Sequence, residues 1–493
     1  MPTIARGVSM MIVAAMAMAS IALDAQDAAP VQTIPPVATA AAEPGAEQGD
    51  ASPAQSPSGD RTAAQQRSPL ATQAAPPVQP SRPVLQGTVG QTVPAAHIFG
   101  DWNGLLPKLQ EKGITPLAMY YGQGAANLNE GTSKKVRWAG EFALGATVNL
   151  QKLTGSIPGT FRVLFTKRHG QLIGTENGLG VLQSNQDVFG FGNIWRLTQG
   201  WYQIAGKTLD LKIGRMSPGE DFDAGRCDFQ NLAFCGALIG HLQPDVFQNY
   251  PVSQWGVRVK AKPSKDVYVA VGTYNLTDDN RNPHEFDFGF GNSTGVSTMA
   301  EIGYTPKLNG VLPGVYKIGM LYSTVNGSDL LLNTQGQRRA AAGGAPLVRH
   351  DRVGFWADMR QQILMPNADG SHGLAVTARF AYAPQHVTNL ESKAGVMLNY
   401  TGVIPGRPDD DLGIGFGRAR LNKYLTRSQE LANRASAGSV PVRSSEYEIE
   451  LYYGLQPIPG LVVKPNFQFI VHPAGDPKRK AIGILGLTLV SYL

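Results

Sequence analysis

Three carboxylates stand at alternate positions near the end of the chain: Glu446, Glu448 and Glu450, separated by Tyr447 and Ile449. On an extended strand, neighbours on one face lie about 7 Å apart. That falls within the roughly 5–9 Å separation at which a carboxylate pair hydrolyses a glycosidic bond. Such chemistry needs one acid held protonated by its surroundings, and no neighbouring segment marks a cleft that would do so. Acids facing water would instead keep their ordinary ionisation and act as hydrogen-bond acceptors.

The other motifs read more plainly. Gly413, Gly415 and Gly417 are spaced like a nucleotide loop, but no helix follows to offer its N-terminus to a phosphate. They belong to a glycine-rich strand. Asp409-Asp410-Asp411 and Asp278-Asp279-Asn280 lack the spacing of a calcium loop and read as solvated loop acids. Cys227 and Cys235 form an isolated pair, with no histidine spacing to complete a zinc site. No metal and no cofactor is expected.

The elements that would position these residues are strands. Around the acids, Tyr447, Ile449, Leu451 and Tyr453 alternate with the glutamates and Tyr452, a period of two that shows different surroundings to the two faces. After a Pro/Gly turn at 456–460, Val463, Pro465, Phe467 and Phe469 oppose Lys464, Asn466 and Gln468. The same pattern recurs at Phe142–Leu150, Phe161–Phe165, Trp255–Ala261, Val267–Val271, Tyr316–Tyr322, Val353–Met359 and Leu374–Phe380. Counting from Leu117 to the end gives about sixteen segments, each near the ~10 residues of a tilted membrane strand. Short turns (154–159, 263–265, 456–460) alternate with long polar loops (170–193, 217–252, 275–297, 326–350, 421–444), the asymmetry of an outer-membrane barrel.

Upstream, Arg6 precedes the apolar run Val8–Leu23, which reads as an export signal over residues 1–25. Export makes a disulfide between Cys227 and Cys235 the expected state of that pair. Residues 26–96, rich in Ala, Pro and Gln, cannot bury enough apolar surface to order themselves and are expected to be a disordered linker. Residues 97–493 are the expected barrel domain. It opens with a short helix within His97–Gly113, which Asp101 or Asn103 could cap, as a plug or rim element. The net charge of +6 is spread singly over strand faces, which argues against nucleic acid and for a cationic pore lining. The inward candidates are Glu141, Arg162, Arg196, Arg258, Trp356, Asp358, Arg360, Arg379, Glu446, Glu448, Glu450 and Lys464.

Several segments in order resemble the carbohydrate-selective porins of Gram-negative outer membranes, the OprB family. They are FGDWNGLLPKLQEKGI (99–114), IGRMSPGEDF with CDFQNLAFCG (213–236), YPVSQWGVRVKAKP with VAVGTYN (250–275), DLGIGFGRA (411–419) and SSEYEIELYYGLQPIPGLVVKPNFQFIVHPAG (444–475). The resemblance implies an all-β, sixteen-stranded transmembrane barrel that admits small sugars such as glucose and related polyols by passive diffusion, without enzymatic activity. It also implies outer-membrane lipids and the barrel assembly machinery as partners, and a monomer or homotrimer. The chain departs from the common pattern by ending on Leu493 rather than Phe. Two alternatives stand beside it: a channel for organic anions drawn by the cationic lining, and a secreted β-rich carbohydrate-binding or hydrolytic protein.

Overall fold

The computed structural model describes residues 97–493 apart from 189, 278–288, 290, 366–371, 385 and 436–439. The export signal (1–25), the linker (26–96) and the Asp278-Asp279-Asn280 cluster lie outside the described residues. Sixteen antiparallel strands follow one another around a closed barrel. In chain order they are β1 Ile114–Asn127, β2 Arg137–Asn149, β3 Thr160–Gly170, β4 Trp195–Ala205, β5 Leu209–Met216 and β6 Gln254–Ala261. Next come β7 Val267–Thr277, β8 Ser293–Tyr304, β9 Leu312–Ser323, β10 Arg352–Gln362 and β11 Gly373–Tyr382. The last five are β12 Leu390–Thr401, β13 Asp411–Leu421, β14 Ser445–Ile458, β15 Leu461–Val471 and β16 Ile482–Tyr492. β16 pairs with β1, Met119 opposite Tyr492, so the sheet has no free edge.

The alternation read from sequence sets the two faces. Phe142, Leu144, Ile318, Phe416, Leu451 and Phe467 are exposed on the outside, as lipid-facing residues must be in a chain without its bilayer. Glu141, Lys317, Gly417, Glu450 and Gln468 point inward. No described helix is long and apolar enough to cross a membrane; the strands do the crossing. Two-residue and other short connections close one end, and the long loops crown the other, which is therefore the extracellular end.

Helices decorate the barrel, among them α1 Leu105–Glu111, α2 Leu238–Leu242 and α3 Lys423–Ala435. α1 is shorter than expected and begins at Gly104 in the left-handed region, without a side-chain cap from Asp101 or Asn103. Its segment lies on the rim. Ile98 N donates to Tyr492 O at 2.7 Å, and the His97 ring stacks on Tyr492.

The main apolar core lies inside the barrel. Loop 217–253 folds inward and lays α2 against the wall, where Ile239, Leu242 and Phe247 pack with Tyr274, Met299, Leu321 and Trp356. A pore so filled on one side is narrowed to what the loop leaves open.

Candidate functional site

The site is built by two inward loops pressed onto β14. The Glu446 carboxylate accepts hydrogen bonds from the backbone N–H groups of Leu182 (2.7 Å), Gln183 (3.0 Å) and Ala474 (2.7 Å). Glu450 accepts from Gln230 N and Asn231 N, both at 2.8 Å. Glu448, between them, has Lys393 as its nearby countercharge. All three glutamates are 0 % exposed. They face inward, as the alternation requires, but none meets water: Glu446 and Glu450 meet loop backbone, and Glu448 is enclosed between them. Charge-assisted bonds to backbone N–H are among the stronger contacts a carboxylate makes, so Glu446 anchors loop 171–194 and Glu450 anchors loop 217–253.

Beside the acids, the glycine-rich strand is a trough. Gly415 and Gly417 face inward on β13, and a Cβ at Gly415 would stand 3.0 Å from the Phe234 ring. Phe229 and Phe234, ring centroids 5.0 Å apart, lie in that space, with Phe229 edge-on to Tyr452 at 4.9 Å. Cys227 and Cys235, joined by a disulfide, close the loop tip that carries these rings. Omitting side chains on β13 thus lets a covalently closed hairpin sit flat on the wall.

The remaining contacts tie wall cations to loop acids, to loop backbone and to acids of the wall itself. Lys212 Nζ lies 2.9 Å from both Glu220 and Asp221. Arg258 pairs with Asp221 (3.2 Å) and with Asp210 (2.8 Å). Arg379 holds Asp223 and Asp358, each at 2.8 Å. Lys317 reaches Asp358 (3.2 Å) and donates to Ala224 O (2.6 Å). Lys464 donates to Asp228 O (3.4 Å) and sits 3.5 Å from Asp411. Arg226 pairs with Asp228 inside the loop at 2.7 Å. Burial opposes ionisation of Asp221, but Lys212 and Arg258 outweigh it and hold the carboxyl below its ordinary range. Burial likewise opposes Asp228, and Arg226 reverses the outcome.

The inward positions read from sequence therefore divide. Arg258, Arg379, Asp358 and Lys464 tie down the loop. Glu141 is bound by Arg168 (2.7 Å) and the Tyr250 hydroxyl (2.6 Å). Arg162 donates to Gln199 (2.6 Å) and Thr147 (3.0 Å), and Arg196 donates to Phe191 O (2.9 Å). Trp356, expected among the lumen-lining residues, is 3 % exposed under α2 and donates its Nε1–H to Glu301 at 2.7 Å. Arg360 alone of the twelve is half-buried, donating to Thr377 at 3.2 Å. Among inward positions the half-buried Lys260 and Tyr268 join it, with Arg226 of the loop, whose side chain is 38 % exposed; the Glu220 and Asp221 side chains are buried against Lys212. Arg226, Glu220 and Asp221 come from the loop, which strand alternation could not reveal. The acidic run GEDFD was the available signal.

A closed barrel with an outward apolar belt and loops folded into its lumen defines an outer-membrane porin. The chain belongs to the family described as "Carbohydrate-selective porin, OprB family", whose sequence model matches residues 133–490. Porin B of Pseudomonas aeruginosa is 34% identical over 395 residues, spanning 77% of this chain and 87% of that protein. The high-pH structure of Pseudomonas putida OprB superposes with a TM-score of 0.78 at 32% identity, covering 82% of this chain and 99% of that one. The low-pH structure of the same protein gives a TM-score of 0.52 at 26% identity, covering 82% and 100%. The protein is an outer-membrane channel.

Proposed function

We propose that the channel passes small neutral sugars, such as glucose and related polyols, into the periplasm by passive diffusion. One observation carries this reading: three cations of the wall, Lys212, Arg258 and Arg379, are matched by the loop acids Glu220, Asp221 and Asp223. A sugar must exchange hydrogen bonds with water for hydrogen bonds with the wall, at nearly equal free energy. Adjacent donors and acceptors suit a hydroxyl, which is both. Because those groups already satisfy one another, a passing solute is held weakly and can leave.

The same pairing weighs against an organic-anion channel, which would need unbalanced positive charge along the path. Hydrolysis is weighed down similarly, since Glu446 and Glu450 are occupied by backbone N–H groups. In this reading residues 1–25 direct export and residues 26–96 are a tether on the periplasmic side. Reversal potential across a KCl gradient in planar bilayers tests the charge balance. A value near zero supports it, and strong anion selectivity would transfer the reading to organic anions.

A further inference from the structure

Charge on the outside of the barrel is distributed as unevenly as charge on the inside is balanced. By strand parity, the outward positions of the sixteen strands hold no Asp or Glu among the described residues. Their cations are Lys167, Arg215, Arg418 and Arg420, each within the last four residues of a strand at its extracellular end. Two of them, Arg418 and Arg420, fall on one strand, β13.

Of the two, Arg418 has no acidic partner and Arg420 has one. Arg418 Nε donates to Ser445 Oγ at 3.1 Å, and its guanidinium lies 5.9 Å from the Tyr447 ring. Neither partner is an acid. Arg420 Nε stands 3.6 Å from Glu391 Oε2, a loose ion pair. The half-buried Arg443 and the exposed Lys423 flank the same strand ends. Below, toward mid-membrane, the outward face of β13 continues with Phe416 (52 % exposed) and Ile414 (47 % exposed), beside Ile449 and Leu451 on β14 and Phe469 on β15.

We propose that Arg418 and Arg420 form a binding site for the phosphate of a phosphorylated lipid in the outer leaflet, its acyl chains lying on Phe416, Ile414 and Leu451. A guanidinium matches phosphate oxygens with parallel N–H donors. Basic residues at a membrane surface recruit anionic headgroups. A lipid is the occupant because the cations sit directly above apolar surface continuous with the rest of the outward belt; an acidic protein would leave that surface uncovered. The site lies on the opposite face of the wall from the lumen, so it is independent of the sugar reading.

The test uses the full-length protein in detergent and native mass spectrometry, with diphosphoryl lipid A as probe, phosphatidylethanolamine as the zwitterionic control and inorganic phosphate as competitor. Wild type is expected to retain lipid A through detergent exchange, and Arg418→Gln/Arg420→Gln to retain it roughly tenfold less, as loss of charge-assisted hydrogen bonds implies. Arg418→Lys should fall between them, and Arg434→Gln on the exposed side of α3 should match wild type. Should the double variant fail to form a heat-modifiable barrel, the single Arg418→Gln variant, which breaks no ion pair, reads the same loss. Equal retention by wild type and Arg418→Gln overturns the site. So does equal retention of phosphatidylethanolamine and lipid A, which would mark acyl contact alone. Displacement by millimolar inorganic phosphate without loss of acyl specificity supports phosphate recognition, and indifference to it in a variant-sensitive complex assigns the affinity to the joined lipid. Retention abolished equally by Arg434→Gln contradicts the proposal, because it would mean diffuse surface charge.

Discussion

Glu450 on β14 accepts a 2.8 Å hydrogen bond from the backbone N–H of Asn231, a residue 219 positions earlier in the chain. The contact joins a wall residue chosen by strand alternation to a loop residue that alternation does not reach. It makes the constriction loop part of the barrel wall rather than a flap over it.

Removing that acceptor should loosen the loop without unfolding the barrel. Glu450→Ala leaves the N–H groups of Gln230 and Asn231 buried and unpaired, a penalty of about 1–3 kcal/mol for each such group. Heat-modifiable barrel should still form, while single-channel conductance rises and maltose gains in swelling rate relative to glucose. Unchanged conductance would mean the loop is held without Glu450.

The glycine trough makes a companion case. Gly415→Val places carbon against the Phe234 ring, and overpacking of this kind costs about 1–3 kcal/mol. The disulfide hairpin should lift from β13, again raising conductance. Gly395→Ala, whose Cβ would stand 3.7 Å from its nearest neighbour, should leave conductance as it is.

Strand parity is tested on the lipid side. Ile449→Lys puts a charge on the outward face at a cost of about 2–4 kcal/mol near mid-bilayer. Yield of heat-modifiable barrel should fall sharply. A normal yield from this variant would show β14 to be inside out.

Loop 171–194 carries its own pH dependence. Burial raises the Asp187 carboxyl to about 7, against the lowering effect of hydrogen bonds from Tyr121 and Gln123. Its Oδ2 lies 2.8 Å from Cys235 Sγ, a disulfide sulfur that brings no proton. The folded value stands above that of the unfolded chain, about 4. The stability it contributes is therefore complete below the unfolded value and is lost as pH rises through about 7. Hydrogen exchange of the 182–188 amides, corrected for intrinsic rates, should show less protection at pH 8 than at pH 5. Asp187→Asn should abolish the difference, and an identical slope in both proteins would clear Asp187 of any part in it.

Much of this architecture is legible in the sequence because alternation is a local signal. Phe142 beside Glu141, or Ile449 beside Glu448, states which face is which whatever the rest of the chain does. The strand number and the division into short turns and long loops follow from the same signal. Alternation cannot show which inward residues meet water, since that depends on loops returning from hundreds of positions away. Glu446, Glu448 and Glu450 therefore read as solvated, and Trp356 as an open lining residue, although α2 covers it. Arg226, Glu220 and Asp221 escape such a reading for the converse reason: they lie on no strand. The α1 cap is misplaced from sequence because Gly104 reaches the left-handed region without a side chain, where Asp101 and Asn103 look chemically better suited.

A charge-balanced constriction should favour neutral polyols over anions of the same size. Proteoliposome swelling in isosmotic glucose and in isosmotic sodium gluconate, with a cation ionophore present so that charge cannot limit entry, measures that preference without intermediaries. Glucose should enter several-fold faster than gluconate, consistent with weak, reversible contacts along a path without net attraction for anions. Gluconate entering as fast as glucose, or faster, would contradict it.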